Sequence, residues 1–243
     1  MSLPKTKQGV QIIVALDNME VNGALFVAER LSGMCWGFKI NDLLLEAGVS
    51  VIPKLRRFGK VFCDPKLEDI PYTVTNCVKK LSRAGANLIS VDASGNGGKD
   101  RLQAALSAIG NSDACGIAGT TVLTSEKSFA ERDFFHAAFT IVLVKADAVI
   151  CSAADLKLLN RYPGYRRVLK ITPGIRPSWW RNDADDQKRV ATPEEAVWAG
   201  SDYLVIGRPI TESPDPKESL RKIRQNIADF LASKEQEQCL YEP

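Results

Sequence analysis

Within Val61–Thr73, VFCDPKLEDIPYT, two aspartates and a lysine follow an apolar run at the spacing D-x-K-x-x-D. Side chains at i and i+2 of an extended strand share a face, so Asp64 and Lys66 could point together at one substrate, with Asp69 just past the strand end. A lysine buried between carboxylates stays protonated and can donate that proton. A carboxylate held against a second anion is costly unless the chemistry removes that anion. The plainer alternative is a solvated strand-to-helix turn, and this stretch alone leaves both open.

Polar residues recur where other apolar runs end. Asp17 closes QIIVALD, Lys39 ends an apolar run in WGFKIND, Asp92 follows NLISV, and Thr124 with Ser125 follows the run that starts at Cys115. Asp17 could simply cap the helix after it. An unpaired ammonium at Lys39 would be costly to bury, so a carboxylate partner is expected, and Asp17 or Asp64 could supply it. Near the C-terminus, YLVIGRPIT contains Gly207, which lets backbone approach a ligand, and Arg208, whose guanidinium can fork onto phosphate oxygens. A surface salt bridge is the alternative for Arg208. Between ITPGIRP and Thr192, the polar loop 174–188 carries Trp179, Trp180 and DADDQKR and could close over a phosphate.

These residues need elements that bring distant strand ends together. Apolar runs at 11–17, 35–40, 60–65, 87–92, 115–122, 147–151, 168–172 and 203–206 read as strands. Helical spacing lies between them: Leu25, Ala28 and Leu31 share one face, as do Val74, Cys77, Val78 and Leu81 before a stop at Gly85. Further helices are expected at 97–109, 130–144, 153–160, 193–199 and 216–231, with Thr192-Pro193 as a cap and first-turn proline. Eight βα units in 243 residues suit a closed barrel better than a doubly wound sheet. No Gly-x-Gly-x-x-Gly follows the first strand, which counts against a dinucleotide fold. The expectation is an α/β fold, a single (β/α)8 TIM-barrel domain over residues 1–243, with the polar strand ends sharing one mouth. In such barrels a phosphate cup recurs between the last two strand ends and a short final helix, so a phosphomonoester is the expected ligand.

Composition bounds the function further. An apolar fraction of 45% supports a substantial core, and a net charge of +3 is too small to imply a nucleic-acid surface. The six cysteines include no C-x-x-C pair and read as small buried hydrophobes in a reducing, cytoplasmic setting. No signal-peptide core and no run of about 18 apolar residues is present, so no membrane association is expected. His136, the only histidine, lies in FFHAAF and reads as structural, while Asp183, Asp185 and Asp186 read as a solvated acidic loop. No metal site is expected.

Together the motifs VALD at 14–17, FKIN at 38–41, DPKLEDIPYTV at 64–74, VLTS at 122–125, ICSA at 150–153, TPGIRP at 172–177, DDQKRVATPEEA at 185–196 and YLVIGRPIT at 203–211 closely resemble the orotidine 5'-phosphate decarboxylase family. The resemblance implies cofactor-free, metal-free decarboxylation of orotidine 5'-monophosphate to uridine 5'-monophosphate, the last step of pyrimidine nucleotide biosynthesis. It implies that Lys39, Asp64, Lys66 and Asp69 form a charged catalytic network, with Lys66 delivering a proton to ring carbon six and Asp64 nearest the substrate carboxylate. By the same resemblance Asp17 and Lys39 hold ribose hydroxyls, Ser125 meets the pyrimidine amide, and Pro173 lines the ring pocket. Gln187 and Arg208 grip the phosphate, assisted by the Gly207 backbone. A homodimer with shared active sites is implied, Asp69, Ile70 and Thr73 reaching into the partner's pocket.

The chain departs from the commoner family pattern at Glu68 and Tyr72, where histidine and asparagine are frequent, and at Asp92, where histidine is frequent. Two alternatives stand beside the leading reading. One is a related sugar-phosphate decarboxylase or lyase, a group that often uses magnesium; the other is a noncatalytic nucleotide-binding barrel.

Overall fold

The computed structural model describes residues 9–110, 113–122, 130–180 and 189–241. Eight parallel strands close into a barrel in sequence order: β1 (Gln11–Ala15), β2 (Gly37–Ile40), β3 (Lys60–Leu67), β4 (Leu88–Asp92), β5 (Gly116–Thr120), β6 (Ala148–Ile150), β7 (Leu169–Thr172) and β8 (Tyr203–Ile206). Closure comes from β1, which pairs with β2 through Ile13 and Gly37 and with β8 through Ile13 and Val205. The strands start or stop within about two residues of the expected positions, the usual uncertainty of strand ends.

Alternation along each strand builds two apolar layers. Ile13, Phe62, Leu88, Leu169, Ile171 and Tyr203 fill the barrel interior, whereas Ile12, Val14, Phe38, Ile40, Cys63 and Ile89 face the helices. Both faces are therefore buried, which is why the sequence shows continuous apolar runs at these places. Each large side chain so buried stabilises the fold by roughly 1.5–3 kcal/mol. At the lower end, Trp36 packs edge-on to Tyr203 with ring centroids 5.8 Å apart. Gly37 is needed where β2 meets β3, since a Cβ there would lie 2.0 Å from the Lys60 carbonyl oxygen.

The helices follow the predicted series with additions. The principal ones are α1 (Val21–Arg30), α4 (Pro71–Arg83), α5 (Gly98–Ile109), α6 (Glu131–Leu143), α7 (Ala153–Leu159), α8 (Pro193–Trp198) and α10 (Pro216–Tyr241), the last longer than periodicity implied. Short helices α2 (Leu43–Ala47) and α3 (Val51–Leu55) occupy the stretch after β2, which sequence reading left unassigned. Helix α4 carries Pro71 in its first turn and gives way to Gly85 at φ 104°, a left-handed turn that glycine adopts without a Cβ clash. Thr192 caps α8 through a reciprocal box with Glu195. Asp17 does not cap α1: the cap position is Glu20, with no side-chain bond, because the chain needs three more residues to turn into the helix.

Cys63, Cys115 and Cys151 are buried and Cys35 and Cys77 half-buried, all free thiols; Cys239 lies outside the described side chains. Burial pushes the Cys35 and Cys115 thiols up to about 12, so they stay protonated and behave as small apolar groups. His136 is exposed on the outer surface of α6 rather than packed in the core. Among the described residues no helix is long and apolar enough to cross a membrane.

Candidate active site

A cavity of about 1020 Å³ is lined by residues at the carboxyl ends of the strands and by the loops that follow them. One wall is built from charges on three neighbouring strands. Lys39 on β2 faces inward because Phe38 and Ile40 on either side pack outward. Its Nζ lies 2.7 and 2.6 Å from the two carboxylate oxygens of Asp17, beyond β1, and 3.4 Å from Oδ2 of Asp64 on β3. The same Asp64 oxygen accepts a hydrogen bond from Lys66 Nζ at 2.9 Å. The result is an alternating chain, Asp17–Lys39–Asp64–Lys66, and both carboxylates proposed as partners for Lys39 are engaged.

Burial shapes the electrostatics of this chain. Lys39 is only 6% exposed, and burial alone would depress its pKa, but Asp64 and then Asp17 outweigh that cost and raise it. The ammonium is thus fixed in its charged form. Asp64 is equally buried, and its Oδ1 has no hydrogen-bond partner among the described residues. An unsatisfied buried carboxylate oxygen beside a cavity raises the electrostatic potential energy of any anion brought near it.

Lys66 reaches the cavity by a route different from plain strand alternation. The β3–β4 register shifts between Cys63 and Leu67, and Lys66 sits at φ 47°, in the left-handed region. For a residue with a Cβ that conformation costs roughly 1–2 kcal/mol and persists only where surroundings enforce it. The Lys66 backbone N–H donates to Ser90 Oγ at 2.8 Å. The i, i+2 reasoning therefore put Asp64 and Lys66 together correctly, but a bulge aims the second of them.

A second wall follows β7 and β8, the latter paired directly with β1. Pro173, Gly174 and Arg176 contribute from one loop, and Gly207, Arg208 and Thr211 from the other, with α9 (Arg208–Thr211) starting directly after Gly207. The guanidinium carbon of Arg176 lies 5.0 Å from the centroid of the Trp180 ring. The loop base is clasped: Arg176 N–H donates to the Ala191 carbonyl at 2.8 Å, and Ala191 N–H to the Gly174 carbonyl at 3.1 Å. Arg189 ties the returning strand to the start of α7, donating to Ser152 Oγ at 2.7 Å and pairing with Asp155. Trp179 packs against the core with Lys222 Nζ 4.6 Å from its ring, docked on the barrel wall.

Asp17, Lys39, Asp64, Lys66, Pro173, Gly207 and Arg208 all line the cavity as expected. Asp69, Ile70 and Thr73 do not: they lie where β3 gives way to α4, with Asp69 and Ile70 exposed and Asp69 Oδ1 accepting the Ile70 N–H at 2.6 Å. Ser125 and Gln187, together with Thr124 and the tip of the loop at 181–188, lie outside the described residues. Sequence reasoning missed Asn18, Asn41, Thr120 and Arg176, which also line the cavity. Asn41 and Arg176 stand inside the quoted motifs FKIN and TPGIRP, whereas nothing in the apolar run around Thr120 marked its buried hydroxyl, which has no hydrogen-bond partner among the described residues. Asn18 turns left-handed at φ 57°, its N–H held by Asp42 Oδ2 at 2.8 Å. Of the departures from the family pattern, Glu68 and Tyr72 are exposed and Asp92 is bound by Arg101 and Ser94; none lines the cavity. Among the described residues no group of three or more His, Cys, Asp or Glu side chains could hold a metal ion.

The family model described as Orotidine 5'-phosphate decarboxylase / HUMPS family matches residues 10–223. The chain is 38% identical to the orotidine 5'-phosphate decarboxylase of Chromobacterium violaceum, over 90% of this chain and 92% of that protein. It is 38% identical to that of Dichelobacter nodosus, over 89% of this chain and 98% of the relative. The solved structure of orotidine 5'-phosphate decarboxylase from Lactobacillus acidophilus superposes with a TM-score of 0.73 at 28% identity, covering 90% of this chain and 99% of that one. By a match that spans the whole barrel, the chain belongs to the orotidine 5'-phosphate decarboxylase / HUMPS family.

Proposed function

We propose that this chain decarboxylates orotidine 5'-monophosphate to uridine 5'-monophosphate and carbon dioxide, the closing step of pyrimidine nucleotide biosynthesis. The observation that carries the reading is the alternating chain Asp17–Lys39–Asp64–Lys66, with a buried carboxylate oxygen of Asp64 that has no partner among the described residues. Breaking the bond from ring carbon six to the carboxylate leaves its electron pair on a carbon with little resonance relief. A fixed cation that also carries a proton is what such a step needs. Lys66 supplies it: its ammonium proton passes to carbon six as carbon dioxide departs, and the neutral amine regains a proton from water. Asp64 repels the substrate carboxylate and is relieved when that charge leaves as a neutral gas.

The remaining groups bind. Asp17 and Lys39 take the ribose hydroxyls, Pro173 flanks the ring, and Ser125 meets the pyrimidine amide. Arg208 grips the phosphate with Gln187 and the Gly207 backbone, and Arg176, on the same wall, adds a second guanidinium. Binding energy from phosphate and ribose, realised far from the reacting carbon, holds the base against Asp64. Asp69, Ile70 and Thr73, which do not line their own chain's cavity, complete the site of a second copy in a homodimer.

The decisive experiment follows the ultraviolet absorbance of orotidine 5'-monophosphate with purified protein in excess chelator, beside a Lys66→Ala control. Turnover in wild type and its loss in the variant are expected. Tight uridine monophosphate binding without turnover would point to a noncatalytic barrel, and turnover of a sugar phosphate only with magnesium would point to the other branch of the family.

A further inference from the structure

The β3–β4 ladder holds a mismatch at the point where the two charged residues emerge. Cys63 is opposite Ile89 and Leu67 is opposite Val91, so Asp64, Pro65 and Lys66 together face a single β4 residue, Ser90. Pro65 has no N–H to give, and the left-handed turn at Lys66 takes its N–H out of the ladder. A backbone donor taken out of the ladder needs another acceptor. Ser90 Oγ is that acceptor, at 2.8 Å. Ser90 is fully buried, and its neighbours fix its direction: Ile89 and Val91 face the helices and Leu88 the barrel interior, so Ser90 also faces inward. Its partner across β5 is Ala118, another small interior side chain.

We propose that Ser90 is a positioning residue for the reaction, its hydroxyl pinning the left-handed backbone of Lys66 and so holding the Lys66 ammonium against Asp64. The inference rests on Lys66 being the proton donor. With an apolar side chain at 90 the Lys66 amide would lose its protein acceptor, and with it the contact that holds the bulge in this shape. A change in that shape alters the direction in which the lysine leaves the strand. The bulk of the site, including Arg176 and Arg208 after β7 and β8, is untouched by that change.

Ser90→Ala tests this, because it removes one oxygen from a position already flanked by Ala118 and adds no volume. Hydrogen exchange of the Lys66 amide, read by NMR, should accelerate by about tenfold or more as its acceptor is lost. With orotidine 5'-monophosphate, kcat should fall by about ten- to a hundredfold, the cost of a misplacement on the order of 1 Å. The affinity for uridine 5'-monophosphate should stay within about twofold of wild type, since its binding groups lie elsewhere. An unchanged kcat in Ser90→Ala beside an active wild type would overturn the Ser90 proposal alone. Equal losses in kcat and in uridine monophosphate affinity would overturn it too, by showing general loosening rather than positioning. A wild type inactive on orotidine 5'-monophosphate would sink the decarboxylase reading, and with it the catalytic consequence assigned to Ser90.

Discussion

The two walls of the cavity are built on different principles. The β1–β3 wall is wired to itself: each ammonium faces a carboxylate, Lys39 and Asp64 are buried, and a strained residue, Lys66, is pinned by a hydrogen bond from its own backbone. The β7–β8 wall offers glycine backbone and two guanidiniums at half-buried positions, and that of Arg176 is held by stacking on Trp180 and by a clasped loop base. Preorganised charge on the first wall suits a step in which charge must not relax, because reorganisation at the moment of reaction would cost rate. Cationic groups on the second wall suit capture of a doubly charged phosphate, where binding energy matters more than angular accuracy. Damage to the Asp64–Lys66 end of the first wall should therefore appear in kcat, loss of its buried Lys39 in stability, and damage to the second wall in KM.

The largest effect tests the first half of the contrast. Lys66→Ala removes the proposed proton donor, which is also the cation nearest Asp64, and kcat should drop by about four orders of magnitude, with product binding largely kept. Stopped-flow absorbance alongside product affinity makes the separation; a tenfold loss shared equally between kcat and KM would break it.

Lys39→Met comes next and reads stability. It leaves Asp64 buried with Lys66 as its remaining partner, and breaking a buried pair in this way costs roughly 3 kcal/mol, measured by urea unfolding. The pH dependence carries a sign. The folded pKa of Lys39 is raised, so its contribution is fully present below the ordinary lysine value of about 10.4 and is lost as pH rises through the folded value. Wild type should therefore lose more stability than Lys39→Met on going from neutral pH to alkaline pH above about 10.4. Parallel alkaline curves for the two proteins would remove the ion-pair account of Lys39.

The second wall should respond in the other parameter. Arg208→Ala deletes a guanidinium set directly after Gly207 at the end of β8, and a charge-assisted bond of this kind is worth about 1.5–3 kcal/mol, or roughly ten- to a hundredfold in KM. Initial-rate kinetics should show kcat close to wild type at saturating substrate. A fall in kcat as deep as that of Lys66→Ala would show that both walls act on the chemical step.

Much of the first wall was legible in the sequence, and the reason is physical. Strand residues alternate, so an inward Lys39 between Phe38 and Ile40, and an inward Asp64 after Cys63, are fixed by period alone once the strands are recognised. The barrel followed from eight such runs separated by helical spacing. What the sequence did not reveal was conformation that breaks the period. The bulge at Asp64–Lys66 leaves no mark beyond Pro65, and the Ser90 hydroxyl that pins it sits in an ordinary apolar run, 24 positions away. Thr120 was hidden in the same way. Asp69 was visible as part of the motif, yet its position outside its own chain's cavity depends on how the chain turns from β3 into α4.

The smallest expected effect sharpens the second wall. Trp180 offers its ring face to Arg176 at 5.0 Å, and the arginine lines the cavity while the tryptophan does not. The expectation is that the ring acts on substrate through the guanidinium it stacks on. A cation–π contact at a half-exposed position contributes about 0.5–1 kcal/mol, so Trp180→Leu, which keeps bulk and removes the π face, should raise KM about two- to fivefold and leave kcat alone. Arg176→Ala should raise KM further, since it removes the charge itself, and the double variant should match Arg176→Ala because the ring has nothing left to orient. Additive losses in the double variant would instead give Trp180 a contact of its own with the nucleotide, and the second wall would then include the loop beyond its clasped base.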